Sequence, residues 1–373
     1  MIADQAAKFV ANESPVERFR KLREDERGWD PDMWAKMAEQ GWLAIAIPEE
    51  QGGFGGTFLD MALILEQLGR GLVPEPIIAS AVLAGGILSD LGTEAQRDAY
   101  LGPMIEGSTS LAFAYAEKQS RYNLNDCTTK AEKSGDEYTL SGEKVWVLNG
   151  HAADQIIVAA RTAGGQLDDS GLSLFIVDGD AEGLTRITVP GMDGQRTAVL
   201  RFDGVKVGSD RLIGREGEAL ATIERTIDRG AAESVAEGFG AAQELFERTV
   251  AYSKEREQFG VPIGSFQALQ HRAVNMWMQR ELSAAALEAA VRVMEDAGST
   301  TAQRAAAASS VKARTAQAAR DVCSEALQLH GAIGFTDEYE LGIYFNRALT
   351  LCPWLGGASE HRRRYTQLVK VKE

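Results

Sequence analysis

Two stretches decide the fold of this 373-residue chain when they are read together. The first is Tyr252-Ser253-Lys254-Glu255-Arg256-Glu257-Gln258-Phe259-Gly260, continued by Val261-Pro262-Ile263, Phe266-Gln267 and Gln270-His271. The second is Gln328-Leu329-His330-Gly331-Ala332-Ile333-Gly334-Phe335-Thr336, followed by Glu338, Tyr344 and Arg347. Both lie in a zone, from about residue 216 onward, dominated by the helix formers Ala, Glu, Arg, Gln and Leu. No proline falls between Pro262 and Pro353, and Gly298-Ser299-Thr300 breaks the region into two long helices. Ala-rich helices with small faces pack closely as bundles, and their apolar positions often continue into subunit interfaces.

Working outward from these stretches, the pattern changes twice. Residues 111–214 carry short β-branched and aromatic segments between turn residues: 138–140, 145–148, 156–160, 172–177, 185–189 and 198–207. Their spacing predicts a small antiparallel barrel or sandwich, with Ser141-Gly142-Glu143-Lys144 as a hairpin turn. Residues 1–110 return to helical spacing at 35–42 and 59–69. Between those helices, Ile47-Pro48-Glu49-Glu50-Gln51-Gly52-Gly53-Phe54-Gly55-Gly56 reads as a turn. A phosphate cradle would need a strand before it and a Lys-Ser/Thr after it, and neither is present. The expected fold class is therefore α+β: an N-terminal helical domain (1–110), a middle antiparallel β domain (111–214) and a C-terminal four-helix-type bundle (215–373).

The net charge of −15 sets the surface against phosphate backbones, so nucleic acid is not an expected partner. An anionic ligand would need a local basic pocket. Cys127, Cys323 and Cys352 are odd in number and far apart, which predicts reduced thiols and no metal site. Residues 1–10 lack the pattern of a secretory signal, and no run of about 18 apolar residues exists to span a membrane. A cytoplasmic location follows as the expectation.

The two quoted stretches resemble the signature segments of the acyl-CoA dehydrogenase family, whose helix–β–helix order the three zones also match. The resemblance covers nearly the whole chain. It implies FAD as cofactor, an acyl-CoA substrate, and electron-transfer flavoprotein or a similar acceptor as partner. It also implies a dimer of dimers, either a homotetramer or a heterotetramer. Arg256 then offers a fixed fork of donors to a pyrophosphate carrying two negative charges. Gln258 and the Phe259 backbone resemble further contacts to the same FAD. Gln328 and Gly331 resemble the segment that reaches a neighbouring subunit's FAD, where a small residue lets backbone N–H groups approach phosphate. The family's second glycine is Ala332 here.

In the β zone, Phe113-Ala114-Tyr115-Ala116-Glu117 resembles the strand beside the isoalloxazine ring, with Phe113 and Ala116 as contacts. Lys144-Val145-Trp146-Val147-Leu148-Asn149-Gly150 resembles the opposite wall, with Trp146 lying on the flavin. Leu148 replaces the usual hydroxyl residue, leaving backbone donation alone toward flavin N5. Gln119-Ser120-Arg121-Tyr122 departs from the usual Gly-Ser-Asp turn. It resembles a branch that includes pimeloyl-CoA dehydrogenase small subunits, whose relatives act on dicarboxylic, branched or steroid side-chain acyl-CoAs.

The family reaction is α,β-dehydrogenation of an acyl thioester, and it needs a carboxylate base. Counting nine residues on from Arg347 places the usual glutamate at Gly356. Counting back from Arg256 places the alternative at Gly230. Both positions lack a side chain, although the Gly356 N–H remains to polarise a thioester carbonyl. The nearby carboxylates are Asp228, Glu224 and Glu360, and Asp228 is the candidate base. It reaches the pocket only if the helix start is offset, because two residues turn a helix face by about 200°. Three functions compete: an acyl-CoA dehydrogenase subunit, a non-catalytic subunit that completes a partner's FAD site, and a flavin oxidase or monooxygenase. Gly356 and Gly357 leave room for a bulky acyl group unless Trp354 fills it.

Overall fold

A computed structural model describes residues 1–370. The chain opens with α1 (Ile2–Glu13), α2 (Val16–Leu22), α3 (Pro31–Glu39) and α4 (Phe58–Arg70). A buried π-helical stretch, Ile78–Gly85, runs into α5 (Gly86–Leu91). Next come α6 (Glu94–Gln96), a second π-helical stretch (Arg97–Leu101) and α7 (Gly102–Ile105). Eight strands follow: β1 (Leu111–Ala114), β2 (Lys130–Ser134), β3 (Glu137–Leu148), β4 (Gln155–Arg161), β5 (Leu172–Asp178), β6 (Leu184–Pro190), β7 (Arg196–Gly208) and β8 (Leu212–Ile213). The C-terminal part holds α8 (Leu220–Glu255), a hairpin of β9 (Glu257–Gln258) and β10 (Val261–Pro262), then α9 (Gln267–Glu295), α10 (Thr301–His330), α11 (Leu341–Leu351) and α12 (Ala358–Lys370).

Packing divides the chain into two compact units. One comprises Met1–Lys21, Phe58–Val73 and the chain from Ala231 onward; the other comprises Leu22–Thr57 and Pro74–Gly230. In the first unit, α10 packs against α9, α11 and α12, and α1 against α4. Its core gathers Phe19 and Leu72 with Leu245, Met276, Val322, Cys323, Ala326, Leu341 and Tyr344. The break expected at Gly298-Ser299-Thr300 is there for a local reason. Thr300 Oγ1 accepts from the Gln303 N–H (3.2 Å), and Gln303 Oε1 accepts from the Thr300 N–H (2.8 Å). This reciprocal cap satisfies two donors of the new helix.

In the second unit the sheet order is β6-β7-β3-β2-β4-β5-β8, with β1 added alongside β4. Tyr138, Leu140, Val147, Ile156, Val158, Phe175, Leu200 and Phe202 fill its core. The sheet is not purely antiparallel as expected: β1 pairs β4 in parallel over four residues, and β2 meets β4 in parallel at Lys130–Arg161.

The expected turn at Ser141-Gly142-Glu143-Lys144 is also corrected. These residues lie inside β3, a single twelve-residue strand that pairs with β7 along almost its whole length. Gly142 is required by crowding rather than by a turn. Its φ is +149°, and a Cβ there would stand 2.6 Å from Thr129 Oγ1 and 2.7 Å from Thr129 Cα. Glycine inside a strand marks such a close approach as readily as it marks a reversal.

Candidate active site

The β unit presents a wall built by one irregularity. Along β3, Lys144 points inward, so Trp146 would point inward as well by simple alternation. Instead the register against β7 shifts between Lys144 and Val147, and Trp146 takes φ +55°. The bulge lets Lys144 and Val147 both face the interior and turns Trp146 outward, where it is 68 % exposed. Left-handed backbone at a bulky non-glycine residue is uncommon and is held only by its surroundings. Leu148 follows, half-buried. Asn149, also left-handed at φ +57°, anchors the strand end: its Oδ1 accepts from Trp29 Nε1 (3.0 Å) and its Nδ2 donates to the Leu111 carbonyl (3.2 Å). Phe113 is buried on β1, its ring 5.2 Å from that of Tyr115, and Ala116 is half-buried just beyond the strand. The Val145 N–H donates to the Ala116 carbonyl (2.9 Å), so the two segments named in the sequence lie side by side.

Behind that wall the Lys144 ammonium is fully buried. It donates to Glu117 Oε1 (2.7 Å), the Tyr115 carbonyl (3.1 Å) and Cys127 Sγ (3.5 Å). Glu117 also accepts from Gln119 Nε2 (2.8 Å), the Thr128 N–H (2.8 Å), Thr128 Oγ1 and the Thr129 N–H (3.0 Å). Burial pushes its carboxyl upward, but Lys144 and these donors outweigh that and hold it well below the ordinary carboxylate range. The sequence quoted Glu117 and Lys144 only as members of longer segments. Nothing in spacing alone pairs residues 27 apart.

In the helical unit the two decisive stretches meet. Tyr252 stacks on His330 with ring centroids 4.2 Å apart. Helix α8 ends at Glu255, and the β9–β10 hairpin turns through Phe259 (φ +57°) and Gly260 (φ +79°). Two successive positive φ values are what a two-residue hairpin turn demands. The turn leaves Phe259 93 % exposed, with Arg256 and Gln258 also exposed. Gln328 is exposed on the last turn of α10, and Gly331 follows at φ +65° with no atom within 4 Å of where its Cβ would be. An exposed guanidinium, outward aromatic faces and an uncluttered glycine suit a planar ring and a diphosphate. The chain's own geometry therefore fits FAD.

The two positions where a base was sought differ from expectation. Gly356 is buried at φ +110°, and a Cβ there would lie 2.4 Å from His361 Nε2. The imidazole fills the space that a side chain would need. The Gly356 N–H, expected to be available for a carbonyl, donates to the Pro353 carbonyl (3.2 Å). His361 Nε2 lies 2.9 Å from the Leu355 carbonyl and Nδ1 lies 3.3 Å from Ser309 Oγ, which makes Nε2 the protonated nitrogen.

Beside this loop, Lys312 is fully buried and donates to Ser234 Oγ and the Leu351 carbonyl, both at 2.9 Å. Burial pushes its ammonium down to about 8. Arg347, the residue used to count to Gly356, is buried against Glu237 (2.6 and 2.8 Å) and sits 4.7 Å from the Trp354 ring. Among the other carboxylates, Glu360 is held by Arg363 (2.6 and 2.8 Å) and Glu224 is exposed. Asp228 is 6 % exposed on α8, in the β-containing unit, and Gly230 is buried on the same helix.

Burial pushes the His361 imidazole down to about 4. The unfolded chain therefore binds a proton near pH 6.5 that the folded chain refuses. His361's contribution to stability is full above that pH and falls away as the pH drops toward 4. Denaturant midpoints measured from pH 7 to pH 4 are expected to decline, and to decline less steeply in His361→Gln. Equal slopes for the two proteins would remove His361 from this role.

Three family models cover the chain: the acyl-CoA dehydrogenase N-terminal domain over residues 1–108, the middle domain over 112–205 and the C-terminal domain over 219–367. A probable acyl-CoA dehydrogenase of Bacillus subtilis, YngJ, is 33 % identical over 322 residues, 84 % of this chain and 83 % of that protein. Acyl-CoA dehydrogenase IpdE2 of Mycolicibacterium smegmatis is 32 % identical over 365 residues, 98 % of this chain and 96 % of that protein. Among solved structures, a variant of the Tcur3481-Tcur3483 steroid ACAD superposes with TM-score 0.88 at 29 % identity, covering 100 % of this chain and 97 % of that one.

Proposed function

Because the chain belongs to the acyl-CoA dehydrogenase family, we propose that it takes part in FAD-dependent α,β-dehydrogenation of an acyl-CoA thioester as one subunit of an oligomer. The observation that carries this reading is the outward Trp146 on its bulge, next to Val145, whose N–H donates to the Ala116 carbonyl just beyond β1. FAD, when bound, supplies the acceptor for the β-hydride. Phe113, Ala116, Trp146 and the Leu148 backbone are assigned to the flavin ring, and Arg256, Gln258 and Phe259 to an FAD pyrophosphate. Gln328 and Gly331 serve a neighbouring subunit.

The chain's own chemistry is proton removal from the substrate α-carbon. We assign this step to Asp228, a buried carboxylate on α8 two residues before Gly230. The exposed stripe Val274, Trp277, Met278 and Leu282 on α9 supports association with further subunits, because contiguous exposed apolar surface of that kind marks interfaces. A bulky or steroid side-chain acyl group is the substrate class favoured by the similarity to the steroid ACAD. Electron-transfer flavoprotein or a similar carrier is the acceptor.

A second reading has its own support. With the Gly356 position filled by His361 and its N–H donated to Pro353, the base could come from a paired chain, making this the FAD-site-completing subunit. One experiment separates the two. The purified protein is mixed without oxygen with a panel of acyl-CoAs, and the oxidised flavin band is followed. Bleaching by one thioester, lost by about 10²-fold or more in Asp228→Asn, is expected if Asp228 is the base. Bleaching that survives in Asp228→Asn overturns that assignment. Bleaching that appears only after co-purification with a paired subunit establishes the second reading.

A further inference from the structure

We propose that the buried Glu117–Lys144 pair is a charge-balanced support for the flavin wall, whose two opposite charges set the reduction potential of the bound flavin in opposite senses. This inference rests on the reading that the Trp146 face receives FAD.

The pair is costly where it lies. Two ions withdrawn from water lose more solvation than their attraction alone returns, so a buried ion pair is weak grounds for stability and stronger grounds for a specific task. Its connections show that task. Lys144 lies two residues before Trp146 on β3, and its ammonium grips the Tyr115 carbonyl on the neighbouring segment at 3.1 Å. Glu117 follows Ala116 directly, and its carboxylate is held by donors from Gln119, Thr128 and Thr129. Cys127 Sγ closes the cluster, 3.2 Å from Glu117 Oε1. The pair thus ties the Tyr115–Glu117 segment to the bulge that turns Trp146 outward. An apolar pair would fill the same space without the grip on the Tyr115 carbonyl.

Flavin reduction adds electron density to the ring system, and nearby charge shifts that equilibrium. With both ions present the wall is neutral overall. Lys144→Met leaves Glu117 among its hydroxyl and N–H donors without the balancing ammonium, and a negative charge there disfavours the reduced ring. Glu117→Gln leaves the ammonium and favours it. The double variant is neutral again. Lys144 and Glu117 are accordingly positioning residues that act through the wall.

The test is a dye-coupled titration of the FAD-loaded protein, with FAD retention measured alongside. Lys144→Met is expected to lower the potential, Glu117→Gln to raise it, and the double variant to return it close to the starting value. Each single variant is expected to weaken FAD retention on the order of tenfold. If a single variant does not fold, Lys144→Arg replaces it. That variant keeps the charge but alters the grip on the Tyr115 carbonyl, so FAD retention should fall while the potential stays. Potentials that shift in one common direction, or stay put in all variants that hold FAD, overturn the proposal. A wild-type protein that takes up no FAD, or one whose flavin spectrum is indifferent to Trp146→Ala, refutes the underlying reading of the wall instead.

Discussion

Arg347→Met is expected to cost the folded protein roughly 3–5 kcal/mol, the range seen when one partner of a buried ion pair is removed. The guanidinium contacts Glu237 at 2.6 and 2.8 Å, both side chains are nearly excluded from solvent, and Arg347 also lies against the Trp354 ring. Methionine replaces the packing volume but leaves the Glu237 carboxylate buried without its guanidinium. Glu237→Gln alone should cost less, because an amide still accepts a hydrogen bond, and the pair Arg347→Met with Glu237→Leu should recover much of the loss. Urea unfolding of all three reads these differences. A cost below about 1 kcal/mol for Arg347→Met would mean the pair behaves as a solvated surface bridge. The consequence extends to the 353–357 loop, because Trp354 loses its cationic neighbour along with the ion pair.

Gly356→Glu, the substitution that would restore the family's usual base, is expected to destabilise the protein without conferring activity. The backbone at φ +110° lies where side chains are strained, at about 1–3 kcal/mol, and overpacking adds a further roughly 1–3 kcal/mol. The new Cβ would meet the His361 ring, which is itself tied to Leu355 and Ser309. Combining Gly356→Glu with His361→Ala removes the collision but not the backbone strain, so stability should recover only in part. Denaturant midpoints measure the first effect, and anaerobic thioester reduction measures the second. A stable Gly356→Glu protein that gains rapid flavin bleaching would show that the loop tolerates a base and that its glycine is incidental.

The fold was legible because its signals are local or of long period. Helical spacing, proline-free runs and the Gly298-Ser299-Thr300 break each depend on neighbours within a few turns, and the structure places helices and the β zone accordingly. The misread turn at Ser141–Lys144 shows the limit. Gly142 is there because Thr129, just before β2, approaches it, a contact that no reading of the residues around 142 contains. The outward Trp146 is of the same kind: alternation predicts an inward side chain, and only the register against β7 reverses it.

The candidate site divides along the same line. By itself the sequence determined the family, the cofactor class, and the lack of a side chain at Gly230 and Gly356, because these are matters of residue identity and spacing. Tertiary structure alone decided that the His361 ring, placed by Ser309, fills the space beside Gly356, that Lys144 finds Glu117, and that Arg347 finds Glu237. The physical reason is that a buried charge or imidazole is defined by its partner. Lys144 and Glu117 lie 27 residues apart, Arg347 and Glu237 110, and His361 and its Ser309 partner 52, so they meet only when the apolar faces around them close.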